Sequence, residues 1–532
     1  MNAKQQIKSI INEHSDCERL FISIGHPKVK AVVKSFKLSN SNQMIKFVET
    51  YRKKSGKAAK WIKIDIVTSV EDIPFDDLKE DLVHTTRNHV EYGFVLDSNW
   101  HLAFLPEEIN SNAFIRPTNE KGIFILSEKN INHYLRKYKK NYNLYLHKDY
   151  EGKVVQRFYT KSYFIEDEQV INLEQEGYMK RLRPVDNLPV EIDCMIQTNT
   201  DYLMNLIQDN GKYHYGYFPH FDININAYNN LCHSSTTYAF IKSLSYLKKN
   251  VSIAKKPIDY IINHYLYKHD GATYVFDDTH YINEIKLGQN AAFILAVCGY
   301  IQYGRSNKKY LKAAQSVAKG LLNMIDENGE TTHVLNYPDL TVKDSFRVIY
   351  YEGQAALALL KLYQLDQNEE WLNTAKLLYE KFIQKSYWKH HDYWLSYSTE
   401  VLIQIEPAEK YYQFAFQNLG EHLNNVQNRQ STDPLLLGML MATYNIVESA
   451  KQHDQSELIK QYFDVDLLVD TIHRRADYMR SGYFYPEVAM YFQNPERILE
   501  AFYIKHEGYR VEIDDIEHYL TSYVEYLKVF NQ

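Results

Sequence analysis

The 532-residue chain is 45% hydrophobic and 24% charged, the balance of a globular protein and not of a disordered one. Its length exceeds what one ordinary core fills and implies two or three domains. Residues 1–190 hold 30 Lys and Arg against 25 Asp and Glu, a net of +5, and the remainder carries −11 of the overall −6. That modest imbalance excludes an ordinary nucleic-acid-binding protein, whose domains are far more basic.

No run approaches 18 uninterrupted apolar residues, so no transmembrane segment is expected. The stretch Met1–Ile10 lacks the apolar centre of a signal peptide, which points to a cytoplasmic location. Cys17, Cys194, Cys232 and Cys298 are scattered without a CxxC pair, indicating neither a disulfide framework nor a zinc site. The front half contains no P-loop, GxGxxG or nucleophile elbow. No metal and no cofactor is expected.

Residues 1–140 read as an α+β domain. Phe21–Ile24, Ala31–Val33 and Trp61–Val67 alternate or run apolar as strands do, and Asp77–Thr85 reads as a helix. Residues 141–190 continue as short strands, Tyr142–Leu146 and Val154–Tyr159, with turns at Glu151-Gly152 and Glu176-Gly177. The proline-marked linker Arg183–Pro189 closes this segment. The basic cluster Arg136–Lys140 is either a solvated loop or a contact for an anionic polymer or membrane surface. An accessory role follows for the N-terminal region, in substrate binding or in docking a protein partner.

From residue 191 to 532 the pattern becomes helical, giving a mainly α chain with an α+β region in front. Segments starting near His233, Gln289, Glu352, Asp392, Asp433 and Asp514 are apolar on nearly every side, and a helix apolar all round is buried all round. Ala355–Leu360 is the clearest case, built from Ala and Leu alone. Between these segments lie more polar, amphipathic helices near residues 198–208, 256–267, 308–325, 369–383, 409–424 and 457–478. Six buried and six outer helices in strict alternation are what an (α/α)6 toroid needs, and the repetition is structural, not a sequence copy.

In such a double ring the starts of the inner helices line one mouth. The candidates there are Asp222, His233, Asp277, Asp278, Gln289, Asn290, Glu352, Asp392, Asp433, Asp514 and His518. Asp433-Pro434 matches a helix N-cap followed by proline, so capping alone explains it. Asp392 and Asp514 also sit where caps sit. Asp514 and His518 are four residues apart and share a helix face. Glu352 precedes a buried helix, and an unpaired buried carboxylate is costly, so a paired or cavity-facing role is expected. Tyr213, Tyr215 and Tyr217 share one face of an extended stretch. They either stack on sugar rings or form a hairpin packed across the mouth.

The alternating helices, the small-residue segment Gly353–Leu359 and the Asp392-Tyr393-Trp394 element resemble the six-hairpin glycosidase superfamily and its N-acyl sugar 2-epimerase relatives. The likeness covers roughly residues 195–530. It implies a carbohydrate ligand at the toroid mouth. In the hydrolases an acidic pair flanks the scissile bond, and in the epimerases histidines and acids of the inner helices move a proton.

Three functions follow as expectations. The first is a cytosolic glycoside hydrolase acting on a cell-surface-type glycan or its precursor, with two carboxylates as acid and base. The second is a sugar epimerase or isomerase, with His233 and His518 as proton carriers. The third is a non-catalytic glycan-binding or scaffold protein in surface polymer biosynthesis. Glu352, Asp392, Asp514 and His518 are the catalytic candidates. Tyr215, Tyr217, Asp222, His233, Asn290 and Trp394 are the substrate-binding candidates.

Overall fold

A computed structural model describes residues 3–56, 58–139, 144–304 and 307–531. The chain forms two compact units, each discontinuous in sequence. The first comprises residues 1–186, 216–225 and 481–511, and the second 187–215, 226–480 and 512–532. The sequence reading assigns both 216–225 and 481–511 to the toroid.

The first unit is built on a seven-stranded antiparallel sheet. Its strands are β1 (Arg19–His26), β2 (Val29–Lys37), β3 (Trp61–Pro74), β4 (Gly93–Val95), β5 (Ala103–Phe104), β6 (Val154–Glu166) and β7 (Gln169–Asn172). The order is β2-β1-β3-β6-β4-β5, with β7 on β6. Its longer helices are α1 (Ala3–Glu13), α2 (Ser41–Ser55), α3 (Phe75–His84) and α4 (Glu128–Tyr138). Alternation divides the strands: Leu20, Ile22 and Ile24 of β1 join Ile62, Ile64 and Ile66 of β3 on one face, packed against Ile7, Ile10 and Met44. Phe21, Trp61 and Phe164 face the other way, and Met490 and Tyr491 pack with them. This is why 481–511 belongs here. The Ala31 N–H donates to the Met490 carbonyl at 2.7 Å, the Tyr491 hydroxyl to Ser23 Oγ at 2.8 Å, and Arg183 pairs with Glu487 at 2.6 Å. The sheet buries one charge network, in which Lys63 meets Asp65 and Glu107 while Arg181 grips Glu107 with two hydrogen bonds of 2.7 and 2.8 Å. Such a network is tolerated in a core only when its members satisfy one another. Of the expected strand at Tyr142–Leu146, Tyr142 and Asn143 lie outside the described residues, and Leu144–Leu146 has no strand pairing.

The second unit is a closed double ring of helices. The inner ring is α6 (Asn230–Tyr246), α8 (Leu287–Tyr303), α10 (Tyr350–Asp366), α12 (Tyr393–Ile405), α14 (Pro434–Gln452) and α16 (Ile513–Phe530). Each inner helix packs on the next, and α16 returns to α6. The outer ring is α5 (Leu188–Leu206), α7 (Lys255–His264), α9 (Lys308–Leu322), α11 (Glu369–Gln384), α13 (Glu409–Leu419) and α15 (Val465–Met479). The sequence-predicted starts fall on the six inner helices in order. Short strands the sequence reading leaves out decorate the loops, at Leu266–His269 with Ala272–Val275 and at Glu284–Lys286 with Val334–Asn336 and Val342–Asp344.

Inner helices approach closely where side chains vanish. A Cβ added at Gly353 of α10 would stand 2.9 Å from the Leu395 backbone nitrogen of α12. One at Gly438 of α14 would stand 1.8 Å from the Tyr397 hydroxyl. The Gly-Ala-rich character of these segments is therefore a consequence of ring closure, which leaves no room for wider residues.

Candidate active site

The starts of α12 and α16 bring acidic groups into the toroid. Asp392 caps α12, its carboxylate accepting from the Leu395 N–H at 2.9 Å. Burial pushes that carboxyl up to about 6, against the opposing hydrogen bonds from the Leu395 and Trp394 N–H groups. Asp433 caps α14 by accepting from the Leu435 N–H at 3.3 Å, with Pro434 in the first turn, so capping accounts for it.

The next turn of α16 holds the chemistry. Asp514, Glu517 and His518 each present an atom within 4.8 Å of the other two. Glu517 is buried and accepts from Ser235 Oγ at 2.7 Å and Thr236 Oγ1 at 3.0 Å, both on α6. Burial, then the neighbouring Asp514 charge, raises the Glu517 carboxyl well above the usual carboxylate range, outweighing those hydroxyls. His518 Nδ1 lies 3.6 Å from Glu517 Oε1, and its ring meets Tyr393 edge-on at 5.7 Å. Burial depresses the His518 imidazole despite Asp514 and Asp433, which keeps it neutral. A protonated carboxyl beside a neutral imidazole gives a proton donor and a proton acceptor on one helical turn.

Tyrosines and a thiol surround this turn. Burial raises the Tyr350 and Tyr393 hydroxyls, and the charges of Asp392 and Asp514 bear on both. Burial also raises the Cys232 thiol, which shares hydrogen bonds with Tyr215 and Asp514 and stays protonated. Below them a cavity of about 160 Å³ runs down the toroid axis, walled by Tyr393, Trp394, Tyr397, Glu517 and His518. A cavity of about 150 Å³ admits a six-membered ring. The Asp514–Glu517–His518 trio also has the donor types for a divalent cation, whose binding would release the proton that burial favours on Glu517.

The structure separates the sequence-predicted residues into groups. Asp392, Asp514, His518, Tyr215 and Trp394 converge around the axis. Glu352 does not. Its carboxylate accepts from Lys381 Nζ of the outer helix α11 at 2.7 Å and from Thr331 Oγ1. Burial would raise it, but the nearby His333 ring and the hydrogen bonds from Lys381 and Thr331 prevail and hold it at about 2. It lines a separate groove of about 510 Å³ with Glu330, Lys385 and Tyr387. His333 Nδ1 accepts from the Arg347 and Val348 N–H groups at 3.1 and 3.3 Å, which places the ring proton on Nε2, 3.7 Å from Glu352.

His233 is a core histidine, fully buried between Tyr228 Oη at 3.1 Å and the Pro257 carbonyl at 2.9 Å. Burial lowers it to about 3. Asn290 is spent on backbone, accepting from the Val275 N–H and donating to the Lys286 carbonyl, both at 2.8 Å. Asp222 and Tyr217 belong to the first unit. There Arg497 pairs with Asp222 at 2.7 Å and stacks over Tyr217 at 3.5 Å. The tyrosine row is thus broken: Tyr213 is buried against His233, Tyr215 faces Cys232, and Tyr217 lies in the other unit. Sequence reasoning missed Glu517, although its spacing of three from Asp514 and one from His518 puts it near the same helix face.

No family model matches the chain, and no curated protein sequence matches it. Solved structures do. A sugar epimerase from a ruminal bacterium superposes with a TM-score of 0.50 at 12% identity, over 64% of this chain and 100% of that one. A cellobiose 2-epimerase from Bacillus thermoamylovorans gives 0.49 at 12% identity, over 64% and 100%. An α-mannanase from Bacteroides thetaiotaomicron gives 0.43 at 12% identity, over 65% and 100%. At such identity the likeness to the first of these speaks to fold alone, and the fold is that of the six-hairpin toroids. No helix among the described residues is long and apolar enough to cross a membrane.

Proposed function

We propose that the second unit is a carbohydrate-active enzyme that moves protons on a sugar, an epimerase or isomerase by reaction class. One observation carries this reading: Glu517 and His518 stand 3.6 Å apart at the wall of a ring-sized, aromatic-lined cavity, where burial favours the proton on the carboxyl and disfavours it on the imidazole. A sugar carbon next to a carbonyl is the matching substrate. In the proposed step His518 takes the proton from that carbon while Glu517 donates to the carbonyl oxygen, giving an enediol. Return of the proton from His518 to the adjacent carbon, while ionised Glu517 takes the proton of the first carbon's hydroxyl, gives the isomer. The epimer requires a second donor on the opposite face, with Glu517 taking back its proton from the enediol and His518 losing its proton to solvent. The toroid's likeness to a sugar epimerase agrees with this choice and does not decide it.

A glycoside hydrolase is the second reading, favoured by Asp392. Burial raises its carboxyl to about 6, and it acts on the same tyrosines as Asp514, so two carboxyl groups bear on one part of the site. The sequence reading ranks hydrolysis first, with Glu352, Asp392, Asp222 and Asp514 as the acids on offer. The hydrogen bond from Lys381 to Glu352 weighs against Glu352 as one of them.

Incubation with sugars and oligosaccharides in deuterated water tests the assignment. Deuterium at one ring carbon without new reducing ends supports proton transfer. New reducing ends without carbon-bound deuterium support hydrolysis. Saturable binding with neither sinks both readings and favours a glycan-binding protein.

A further inference from the structure

The lower half of the axial cavity is lined by charged residues that the proposed proton transfer does not use. Lys242 of α6 and Lys528 of α16 share one carboxylate, Glu525, at 2.6 and 3.0 Å. Glu400 of α12 is held by an amide, accepting from Asn445 Nδ2 at 2.9 Å. Lys361 of α10 donates to the Gln364 side chain at 3.2 Å and reaches no carboxylate within 4 Å among the described residues.

Lys361 is partly buried in the cavity wall with no carboxylate partner, so the part of its charge that is desolvated is not offset. Burial, then the like charge of Lys242, depresses the Lys361 ammonium, and Glu400 and Glu525 only partly oppose this. Burial and Glu525 raise the Glu400 carboxyl to about 7. Of the three lysines on the cavity floor, Lys242 and Lys528 share Glu525, and Lys361 alone has no carboxylate within 4 Å among the described residues. The walls above it are the rings of Tyr238, Tyr393, Trp394 and Tyr397, flat surfaces suited to a sugar face.

We infer that the axial cavity takes an anionic sugar, a uronic acid or a sugar phosphate, with Lys361 as the anchor of its acidic group. The inference rests on the axial cavity being the sugar site. The anion supplies the counter-charge that Lys361 lacks, and the neutral ring lies against the aromatic wall. A neutral hexose has nothing to offer Lys361, so it loses the charge-assisted hydrogen bond.

Calorimetric titration of the intact protein with glucuronate, glucose 6-phosphate, glucose and inorganic phosphate tests this. The expected result is binding of at least one anionic sugar about tenfold or more tighter than glucose, weakened by salt. Lys361→Met abolishes that preference, and Lys361→Arg retains most of it. The two anionic sugars distinguish carboxylate from phosphate, and phosphate binding alone without either sugar counts against a sugar site. Equal or tighter binding of glucose, unchanged anion affinity in Lys361→Met, or no sugar binding overturns the inference. Deuterium exchange into neutral sugars alone would overturn it while leaving the proton-transfer reading intact. Lys361-dependent binding of an anionic sugar without exchange would do the reverse.

Discussion

Glu352 and Lys381 form an ion pair of 2.7 Å in which both side chains are almost wholly buried, joining inner helix α10 to outer helix α11. The pair explains why a carboxylate opens a helix that is buried along most of its length. It is a fastening between the two rings, and the carboxylate is directed away from the axis.

Glu352→Gln should therefore destabilise the fold. It leaves Lys381 only the half-exposed carboxylate of Glu330 at 3.2 Å, and breaking a buried pair from one side costs up to about 3–5 kcal/mol. Denaturant unfolding should show a loss on that scale, with activity per folded molecule changed less than about threefold. Lys381→Met together with Glu352→Gln should recover part of the loss, because no charge is then stranded. An unchanged unfolding midpoint with lost activity would return Glu352 to the catalytic role.

Asp392 gives the fold a pH signature. Its folded value of about 6 lies above the ordinary aspartate value of about 3.9, so the folded state binds the proton more tightly. Stability contributed by this group is full below about pH 4 and is lost as pH rises toward and through 6. Asp392→Asn retains a capping oxygen and removes the titration. Relative to the variant, the native protein should lose up to about 3 kcal/mol between pH 4 and 7. Parallel stability curves for the two proteins would show that Asp392 titrates normally.

Gly438 tests the closeness of the ring. Alanine there directs its Cβ at the Tyr397 hydroxyl, and overpacking of this kind costs about 1–3 kcal/mol. Adding Tyr397→Phe removes the clashing oxygen and should recover part of the loss. A Gly438→Ala protein as stable as the native one would mean that α12 and α14 separate more easily than their packing implies.

The architecture is legible in the sequence wherever burial alone decides it. Ala355–Leu360 has no polar face, so it belongs inside whatever surrounds it, and the alternation with amphipathic helices then specifies a double ring. Direction is harder. Glu352 reads as buried, yet the side it faces depends on Lys381, 29 residues later on another helix. His233 likewise follows the helix pattern but is held by Tyr228 and the Pro257 carbonyl, partners that periodicity does not reveal. Discontinuity is hardest. The segment 481–511 contains Pro486 and Pro495 and only short helices, but nothing local says that Met490 pairs with Ala31. Glu517 was hidden by its neighbours, since Asp514 and His518 already fill an i, i+4 pair.

The account stands on one centre, Glu517 with His518, and the rate of deuterium uptake into sugar tests it most directly. Glu517→Gln mimics the protonated carboxyl in size and neutrality, so the fold should persist while proton donation is lost. His518→Asn removes the acceptor. Both should slow exchange about a hundredfold or more, the scale of lost acid–base catalysis, while Glu352→Gln, measured per folded molecule, stays within about threefold of the native rate. If Glu352→Gln silences exchange and the Glu517 and His518 variants keep the native rate, the acid–base centre lies at the Lys381 groove and not on the axis.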